Sequence, residues 1–362
     1  MPVKRRIPVA KLLRHVQHSG LRHALRTATA AVVTLAVVTA LRLPQGYWAV
    51  VTAVIVMQAN LGGSIQASWA RLAGTAIGAV SGALAASLGG QAWYAVGGAV
   101  FVTLAACTGV ARLRESSRVA GITAVIVILG GHPGASAWQP GLDRFLEISL
   151  GILTALAVSV FVLPSRASRA LDHGLAAIFE DVAACFALVV EGRLHEESVE
   201  RRVFALKDRI LRTLARCREL RREAGAEGVS GEAEAQRAML LFRAERLFEH
   251  VLAMDHVATE WRGKGLHRHL PGELAGLEAA TAEVLTGLGA HLRRREPLPD
   301  LARLGESVKA AREKLAAMRR ERAPAAYDLS EVMHFFSFMH GMLSCAADAG
   351  EIVRRLRAAG DD

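Results

Sequence analysis

Two arginines stand inside otherwise apolar stretches of the sequence, which makes them the first candidates for chemistry. Arg71 separates a charge-free run of 28 residues (43–70) from a second run of 40 residues (72–111). Arg144 is followed three residues later by Glu147. A guanidinium in apolar surroundings binds a carboxylate through paired hydrogen bonds, so both arginines are predicted to contact an organic anion. Glu147 is a candidate for proton coupling because ionisable residues inside a membrane commonly serve transport.

Each of these residues also has a purely structural interpretation. Arg71 could anchor a helix end at the cytoplasmic face, with its charge reaching the lipid headgroups. Arg118, which begins a later apolar run, is either a pathway residue or the same kind of anchor. Arg144 and Glu147 share one helical face and could form only an ion pair. Positive charge is disfavoured on the outer side of a membrane, so topology does not account for Arg144.

Polar residues next to glycine pairs extend the candidate set. Gln58 and Asn60 come just before Gly62 and Gly63, and His132 follows a second glycine pair. Broken backbone at membrane depth is tolerated only where protein or a water-filled cavity covers it. These polar groups are therefore predicted either to line a pathway or to satisfy the hydrogen bonds of a loop.

The elements that must position these residues are membrane-spanning helices. A bilayer core about 30 Å thick requires roughly 20 apolar residues of helix. The sequence predicts an all-α protein with six such spans, each bounded by polar, basic or glycine-rich residues. The predicted spans are Ala24–Leu41, Gly46–Ala59, Leu72–Leu88, Ala92–Ala111, Val119–Gly130 and Phe145–Leu163.

The spans fall into two similar halves. Thr52–Val56 recurs letter for letter as Thr123–Val127, and the two arginines introduced first each precede a glycine, Gly78 or Gly151, by seven residues. Six spans with both termini on one side give the halves opposite topology, so two inverted three-helix repeats are predicted. Short, interrupted spans at matching positions of such repeats indicate a transport site. Small residues at four-residue spacing, Gly74, Gly78 and Gly82, are predicted to allow close helix packing.

Charge is distributed unevenly along the 362 residues. Residues 1–164 hold 13 Lys/Arg and 3 Asp/Glu, whereas residues 165–362 hold 31 of each sign. The basic excess lies beside the spans, so it indicates membrane topology with both termini in the cytoplasm, not nucleic-acid binding. The predicted domains are a basic interfacial segment (1–23), a six-helix transmembrane domain (24–164) and a cytoplasmic antiparallel helical bundle (165–362), whose apolar residues recur with period 3.6.

The sequence lacks the patterns that most enzymes and metalloproteins carry. It has no phosphate-binding glycine loop, no nucleophile elbow and no spacing of Cys, His or carboxylates typical of metal ligands. The four cysteines are far apart in sequence and are predicted to be free thiols. The chain is therefore predicted not to be an enzyme and to need neither a cofactor nor a metal.

Three segments resemble the fusaric acid resistance protein-like superfamily, which includes bacterial aromatic acid exporters. They are Pro44–Ala49, Gln58–Gly63 and the pattern Arg71-x-x-Gly-Thr-x-x-Gly-x-x-x-Gly82. The likeness covers residues 20–165, and the remainder is similar only in being helical. It implies a membrane protein that moves organic anions, most commonly aromatic carboxylates. The layout is also similar to that of plant malate channels, which work as dimers, and this resemblance implies a homodimer.

The resulting hypothesis is an efflux-type transport protein for organic, aromatic carboxylates in the bacterial inner membrane. Its pathway is predicted to run between the second and the fifth of the six spans. Its expected partners are a small organic anion, membrane lipid and a second copy of the chain. The alternatives are an anion channel of the malate-channel type and a non-transporting, membrane-anchored helical scaffold or sensor.

Overall fold

The protein is all-helical, as its sequence predicts. The computed structural model describes residues 9–89, 91–131, 136–195, 199–228, 231–261 and 265–359, and within them there are twelve α-helices and no strand. The helices are α1 (Val9–Ala40), α2 (Tyr47–Val56), α3 (Leu61–Gly89), α4 (Trp93–Gly109), α5 (Ser117–Leu129), α6 (Gln139–Phe161), α7 (Ala167–His195), α8 (Glu200–Gly225), α9 (Gly231–Glu260), α10 (Pro271–Arg294), α11 (Ala302–Arg320) and α12 (Leu329–Ala358).

The chain folds into two compact units. The first contains Met1–Ala167 together with the short segment Glu223–Gly228, and the second contains Ser168–Arg222 with Val229–Asp362. The first unit thus holds α1–α6 and the last residues of α8. Charge patterning places a boundary at residue 164 but gives no indication that residues 223–228 belong with the apolar helices.

Several helices are long and apolar enough to cross a bilayer. Gly20–Ala40, Leu61–Gly89 and Gln139–Phe161 overlap predicted spans. A fourth such helix, Ala167–Gly192, lies in the stretch that was predicted to be a cytoplasmic bundle. Two further apolar helices, α2 and α4, are shorter. Many large apolar side chains on α1–α6 are exposed on the protein's own surface, including Leu88, Trp93 and Phe161. A lipid environment satisfies such a surface, whereas water does not.

The predicted interfacial segment 1–23 and the predicted first span share one helix over their described residues, because α1 runs from Val9 to Ala40. The glycine-rich stretch after the second span is not a long break. Helix α2 ends at Val56 and α3 begins at Leu61, so Gly62 and Gly63 lie in the first turn of a helix.

Helices α1–α3 and α4–α6 pack in equivalent ways. Helix α1 packs on α2 as α4 packs on α5, and α6 packs on α2 as α3 packs on α5. A Cβ at Gly78 would overlap the carbonyl oxygen of Ala120 on α5, and a Cβ at Gly151 would overlap that of Ala49 on α2. The same close approach between a glycine and a neighbouring helix therefore occurs in both halves. The two glycines are the ones that occupy matching positions in the sequence repeat. Gly74 and Gly82 contact α5 in the same way as Gly78.

The second unit consists of amphipathic helices with buried apolar faces and paired charges. Although α7 is apolar, its side chains pack within this unit, with Leu171, Ile178 and Phe186 fully buried. Its Asp172 accepts two hydrogen bonds from Arg237 of α9, at 2.8 and 3.1 Å. Asp348 of α12 is buried and joins α9 through three basic groups, Arg243, Arg246 and His250.

The cysteines are free thiols, as their spacing predicts. All four are buried and none forms a disulfide. Burial raises the pKa of Cys217 on α8 to about 12, and burial also raises the pKa of Cys345 on α12. Because the thiolate is the reactive form, these two side chains are inert packing groups at neutral pH.

Substituting Gly78 or Gly151 by Ala is expected to destabilise the first unit. Each added methyl meets backbone, which cannot move as a flexible side chain does, so a loss of about 1–3 kcal/mol per site is expected. Gly97→Ala on α4 is the matched control, because nothing lies within 4 Å of its position. The measurement is thermal unfolding of the purified protein in detergent. Equal midpoints for Gly78→Ala and Gly97→Ala would contradict the packing described.

Candidate functional site

Arg144 is a buried cation near the start of α6. Only 6% of its surface is exposed, and Glu147, one helical turn later, is 7% exposed. The Arg144 Nη1 donates to Glu147 Oε2 at 3.4 Å, so the two charges that share a helical face in the sequence form an ion pair. This ion pair uses only one N–H group of the guanidinium, so the other donors need partners elsewhere.

Two residues at the start of α2 supply further contacts. Gln45 Oε1 accepts from Arg144 Nη2 at 2.8 Å, and the Arg144 guanidinium carbon lies 4.5 Å from the centre of the Trp48 ring. The turn before α2 can bring Gln45 here because Gly46 sits against Val38 of α1; a Cβ at that glycine would be 2.7 Å from the Val38 Cβ. A cation over the face of Trp is stabilised by the ring quadrupole.

Two donors at this cluster have no acceptor. The Arg144 Nε and the Trp48 Nε1 are buried and make no hydrogen bond to any residue that the structure describes. Most buried donors in native proteins are satisfied, and exceptions often mark a place where a ligand or water binds. The cluster therefore has the hydrogen-bonding capacity to accept an anion's oxygens.

A cavity of about 260 Å³ lies beside Arg144. It is lined on one side by Gln45 ahead of α2, on another by Ile126 and Gly130 at the end of α5, and by the first turns of α6. The lining of the α6 side consists of Gln139, Pro140, Asp143 and Arg144. The cavity thus joins the beginning of the second predicted span to the end of the fifth.

Arg71 of α3 contacts a different part of α2. It is half-buried in α3, and its Nε donates to the hydroxyl of Thr52 at 3.1 Å. Thr52 is fully buried at the middle of α2. Arg71 is therefore not beside the end of the second span, where the sequence pattern placed it, and the structure does not bring it to Arg144.

The break between α2 and α3 spans residues 57–60 and is held by polar groups. The Gln58 backbone N–H donates to Ser64 Oγ at 2.9 Å. The side chain of Gln58 is exposed, and its Nε2 donates to the Ile55 carbonyl at 3.1 Å. Asn60 is buried, accepts from Ser165 Oγ at 3.1 Å and donates to Glu223 Oε2 at 2.9 Å. Gln58 and Asn60 thus both form hydrogen bonds that hold the break in place.

Arg26 of α1 is a third arginine beside α2, and it is not among the residues that the sequence pattern singled out. It is 1% exposed on α1, and its Nη1 donates to the Ala59 carbonyl at 3.0 Å, just past the end of α2. Its Nη2 donates to Ser159 Oγ of α6 at 2.5 Å. Its position, six residues into an apolar helix segment that begins at Gly20, was a usable signal, but the basic N-terminus made it look like one more topological charge.

The remaining candidates are not part of these clusters. Arg118 is exposed at the start of α5, as an anchor would be. His132 lies outside the described residues. Among the residues that the structure describes, no group of three or more His, Cys, Asp or Glu side chains is placed to hold a metal ion.

Replacing Arg26 is expected to destabilise the junction of α1, α2 and α6. Arg26→Met leaves the Ala59 carbonyl and the Ser159 hydroxyl without their charged donor, a loss of roughly 1.5–3 kcal/mol, and Arg26→Lys is expected to recover part of it. Unfolding by denaturant in detergent measures the effect. Arg22→Met, at an exposed position of the same helix, is the control. The assignment is wrong if the Arg26 and Arg22 variants unfold alike.

Comparison with known sequences accounts for most of the chain. The uncharacterized transporter YdhK of Escherichia coli K12 is 29% identical over 157 residues, and the same protein of Escherichia coli O157:H7 matches equally. The matched region is 40% of this chain but 22% of the relative, so the chain spans well under half of that transporter's length. The sequence profile of the fusaric acid resistance protein family matches residues 20–360. The chain is therefore a member of the fusaric acid resistance protein family.

Proposed function

We propose that this protein moves organic carboxylate anions, aromatic ones in particular, out of the cell across the bacterial inner membrane. The observation on which the proposal rests is Arg144. It is a buried cation that opens on a cavity, and it retains a donor without an acceptor among the described residues. A guanidinium presents donors in a fixed fork that matches a carboxylate.

The surroundings of Arg144 favour a small aromatic acid. Trp48 offers an indole N–H without an acceptor, together with the ring that already faces the guanidinium. Aromatic rings stack or meet edge to face with favourable energy. Pockets for drug-sized ligands start at about 300 Å³, so the cavity of about 260 Å³ suits a smaller, single-ring substrate.

The course of the pathway follows α2. Three arginines from three different helices contact α2 or its flanks: Arg144 at its start, Arg71 at its middle and Arg26 just past its end. The cavity at the start of α2 also reaches the end of α5. Both features support a route between spans two and five, at the interface of two inverted repeats, as in other transporters built this way.

Glu147 couples the anion to a proton in this scheme. Arg144 is neutralised by Glu147, and Asp143 adds a second carboxylate at the cavity. An anion can therefore bind Arg144 only when the ion pair between Arg144 and Glu147 is broken, and protonation of Glu147 breaks it. Anion binding and proton binding then favour one another by linkage.

Topology and direction follow from charge. Six spans with both termini in the cytoplasm place the basic loops inside, in accord with the positive-inside rule. The second unit is then a cytoplasmic helical bundle. If the proton on Glu147 stays with the protein and only the anion crosses, a potential that is negative inside drives the anion outward by about 2.3 kcal/mol per 100 mV, which supports efflux.

A homodimer and a channel belong to the same proposal. An open, mostly apolar cavity of about 530 Å³ lies between α3 and α6 and is bordered by Ala76, Ala79 and Gly141, small residues that suit close packing of a second copy or of lipid. An anion channel is the second candidate, because the three arginines that surround α2 would also attract ions along an open pore. A mere scaffold has no need of a buried arginine beside a cavity.

Flux in proteoliposomes tests the proposal most directly. Purified protein is reconstituted, and the movement of labelled hydroxybenzoate, malate and chloride is measured at fixed membrane potential. Hydroxybenzoate movement that saturates with concentration supports a transporter for aromatic acids, whereas non-saturating malate or chloride current supports the channel. Absence of any flux above that of empty vesicles would refute both.

Arg144→Gln is expected to weaken the apparent affinity for hydroxybenzoate by about ten- to a hundredfold, the equivalent of one charge-assisted contact. Arg144→Lys is expected to recover only part, because an ammonium lacks the fork. The measurement is initial flux against substrate concentration, normalised to correctly inserted protein. Arg118→Gln, which removes an exposed arginine, serves as the control. Unchanged affinity in Arg144→Gln would transfer the role to Arg71.

Glu147→Gln is expected to abolish the pH dependence of affinity. In the native protein, affinity should rise as the pH falls, since protonated Glu147 frees Arg144; the glutamine variant is neutral at every pH and should bind tightly throughout. The other ionisable neighbours of the pair are Asp143 and Tyr47. Asp143→Asn is therefore the control and should retain the pH profile. An unaltered profile in Glu147→Gln would exclude Glu147 as the coupling group.

A further inference from the structure

The segment Glu223–Gly228, here called the acidic strap, lies on the break between α2 and α3. It begins in the last turn of α8 and belongs to the first unit. After α8 it forms a tight turn in which the N–H of Glu227 donates to the Ala224 carbonyl at 3.0 Å. It ends at Gly228, whose φ of 68° is a left-handed conformation that glycine adopts without strain.

Two carboxylates of the acidic strap bind the break. Glu227 Oε1 accepts from the backbone N–H of Gly62 at 3.2 Å and from that of Ala167 at 2.6 Å. Glu223 Oε2 accepts from Asn60 Nδ2 at 2.9 Å. The Gly62 N–H is one of the first donors of α3, which have no acceptor inside the helix. The strap therefore occupies the donors that an anion passing this break would use.

The glycine pair at the start of α3 is explained by this contact. A Cβ at Gly62 would overlap the carbonyl oxygen of Glu223, and a Cβ at Gly63 would come within 3.4 Å of the Glu223 carboxylate. Gly62 thus serves a close approach of two backbones, and both glycines lie within a helix and not in an unwound segment. This contact requires glycine at residue 62, because any side chain there would push the strap away from α3.

We propose that the acidic strap is an autoinhibitory contact: it closes the α2–α3 break, and anions pass only when it lifts. This inference rests on the proposed function, since it assigns the break to the transport pathway. The strap presents carboxylates to the same kind of donor that a carboxylate substrate requires, so strap and substrate compete. Lifting the strap exposes the Gly62 N–H and the Asn60 amide together.

Two variants open the strap from opposite sides. Gly62→Ala displaces it by overlap with backbone, and Glu227→Ala removes the carboxylate that holds Gly62 and Ala167. The matched controls are Gly97→Ala, at a helical glycine with nothing within 4 Å, and Glu219→Ala, at an exposed acid of the same helix α8. Since the two openers act independently, misfolding of one leaves the other as a test.

The first readout is hydrogen exchange of the full-length protein, followed by mass spectrometry of the peptide covering residues 57–66. Both openers are expected to raise exchange there by about tenfold or more, as loss of a charge-assisted hydrogen bond does, while both controls match the wild type. Unchanged exchange in the openers would overturn the proposal, because the strap would not then protect the break.

The second readout is flux of labelled hydroxybenzoate in proteoliposomes. Faster flux in both openers than in the wild type and the controls supports autoinhibition. Faster exchange with equal or lower flux would overturn it, since the strap would then support the pathway instead of blocking it. Faster exchange with no flux of any anion in any variant, the wild type included, would refute transport itself and would overturn autoinhibition with it, since there would be no flux to inhibit. The two failures are therefore distinguishable.

Discussion

The constraint on which this structure depends is that backbone groups cannot remain unpaired in an apolar environment. Helix α2 has only ten residues, too few to cross a bilayer, so the chain must break at residues 57–60 and every exposed donor and acceptor there needs a partner. The carbonyl of Ala59 receives Arg26, the N–H of Gln58 reaches Ser64, and the N–H of Leu61 reaches the Ser165 carbonyl at 2.9 Å. Partners from α1, α3 and the segment after α6 thus converge on one point because a short helix ends there.

The same constraint explains where the charges are. A buried guanidinium is costly unless it is paired and hydrogen-bonded, and each of the three arginines around α2 meets this requirement differently. Arg26 uses neutral oxygens, Arg71 uses a threonine hydroxyl, and Arg144 uses a carboxylate, an amide and an aromatic face. Only the last arrangement contains a titratable partner, so only Arg144 can change its state of neutralisation with pH. This difference, and not burial as such, separates Arg144 from the other two.

The sequence was sufficient for features that depend on local pattern and insufficient for those that depend on distant contacts. Apolar runs predicted the helices, and the repeat of Thr52–Val56 indicated equivalent packing, which Gly78 and Gly151 display. Arg144 stood out because topology did not account for it. Arg26 was hidden for the opposite reason, since a basic N-terminus gave it an ordinary explanation. The contact of Asn60 with Glu223 joins residues 163 positions apart, and no local rule connects them. The pair Gly62 and Gly63 was therefore interpreted as a break, the usual meaning of two glycines, whereas Gly62 allows a neighbouring backbone to approach.

The two halves of the first unit share their framework but not their chemistry. Gly78 and Gly151 contact equivalent carbonyls, whereas the arginines seven residues before them have different partners. Arg144 has a carboxylate three residues later, and Arg71 has a glycine at that position. At the end of α2 the acidic strap covers the break, while the end of α5 at Gly130 borders an open cavity. A duplicated packing scheme supplies two similar short helices, and unequal charge around them gives each a separate task. In the proposed function, one end holds an anion against a titratable pair, and the other is closed by the chain's own carboxylates. A pathway with a binding site at one end and a closure at the other needs this asymmetry, because two identical ends could not differ in access.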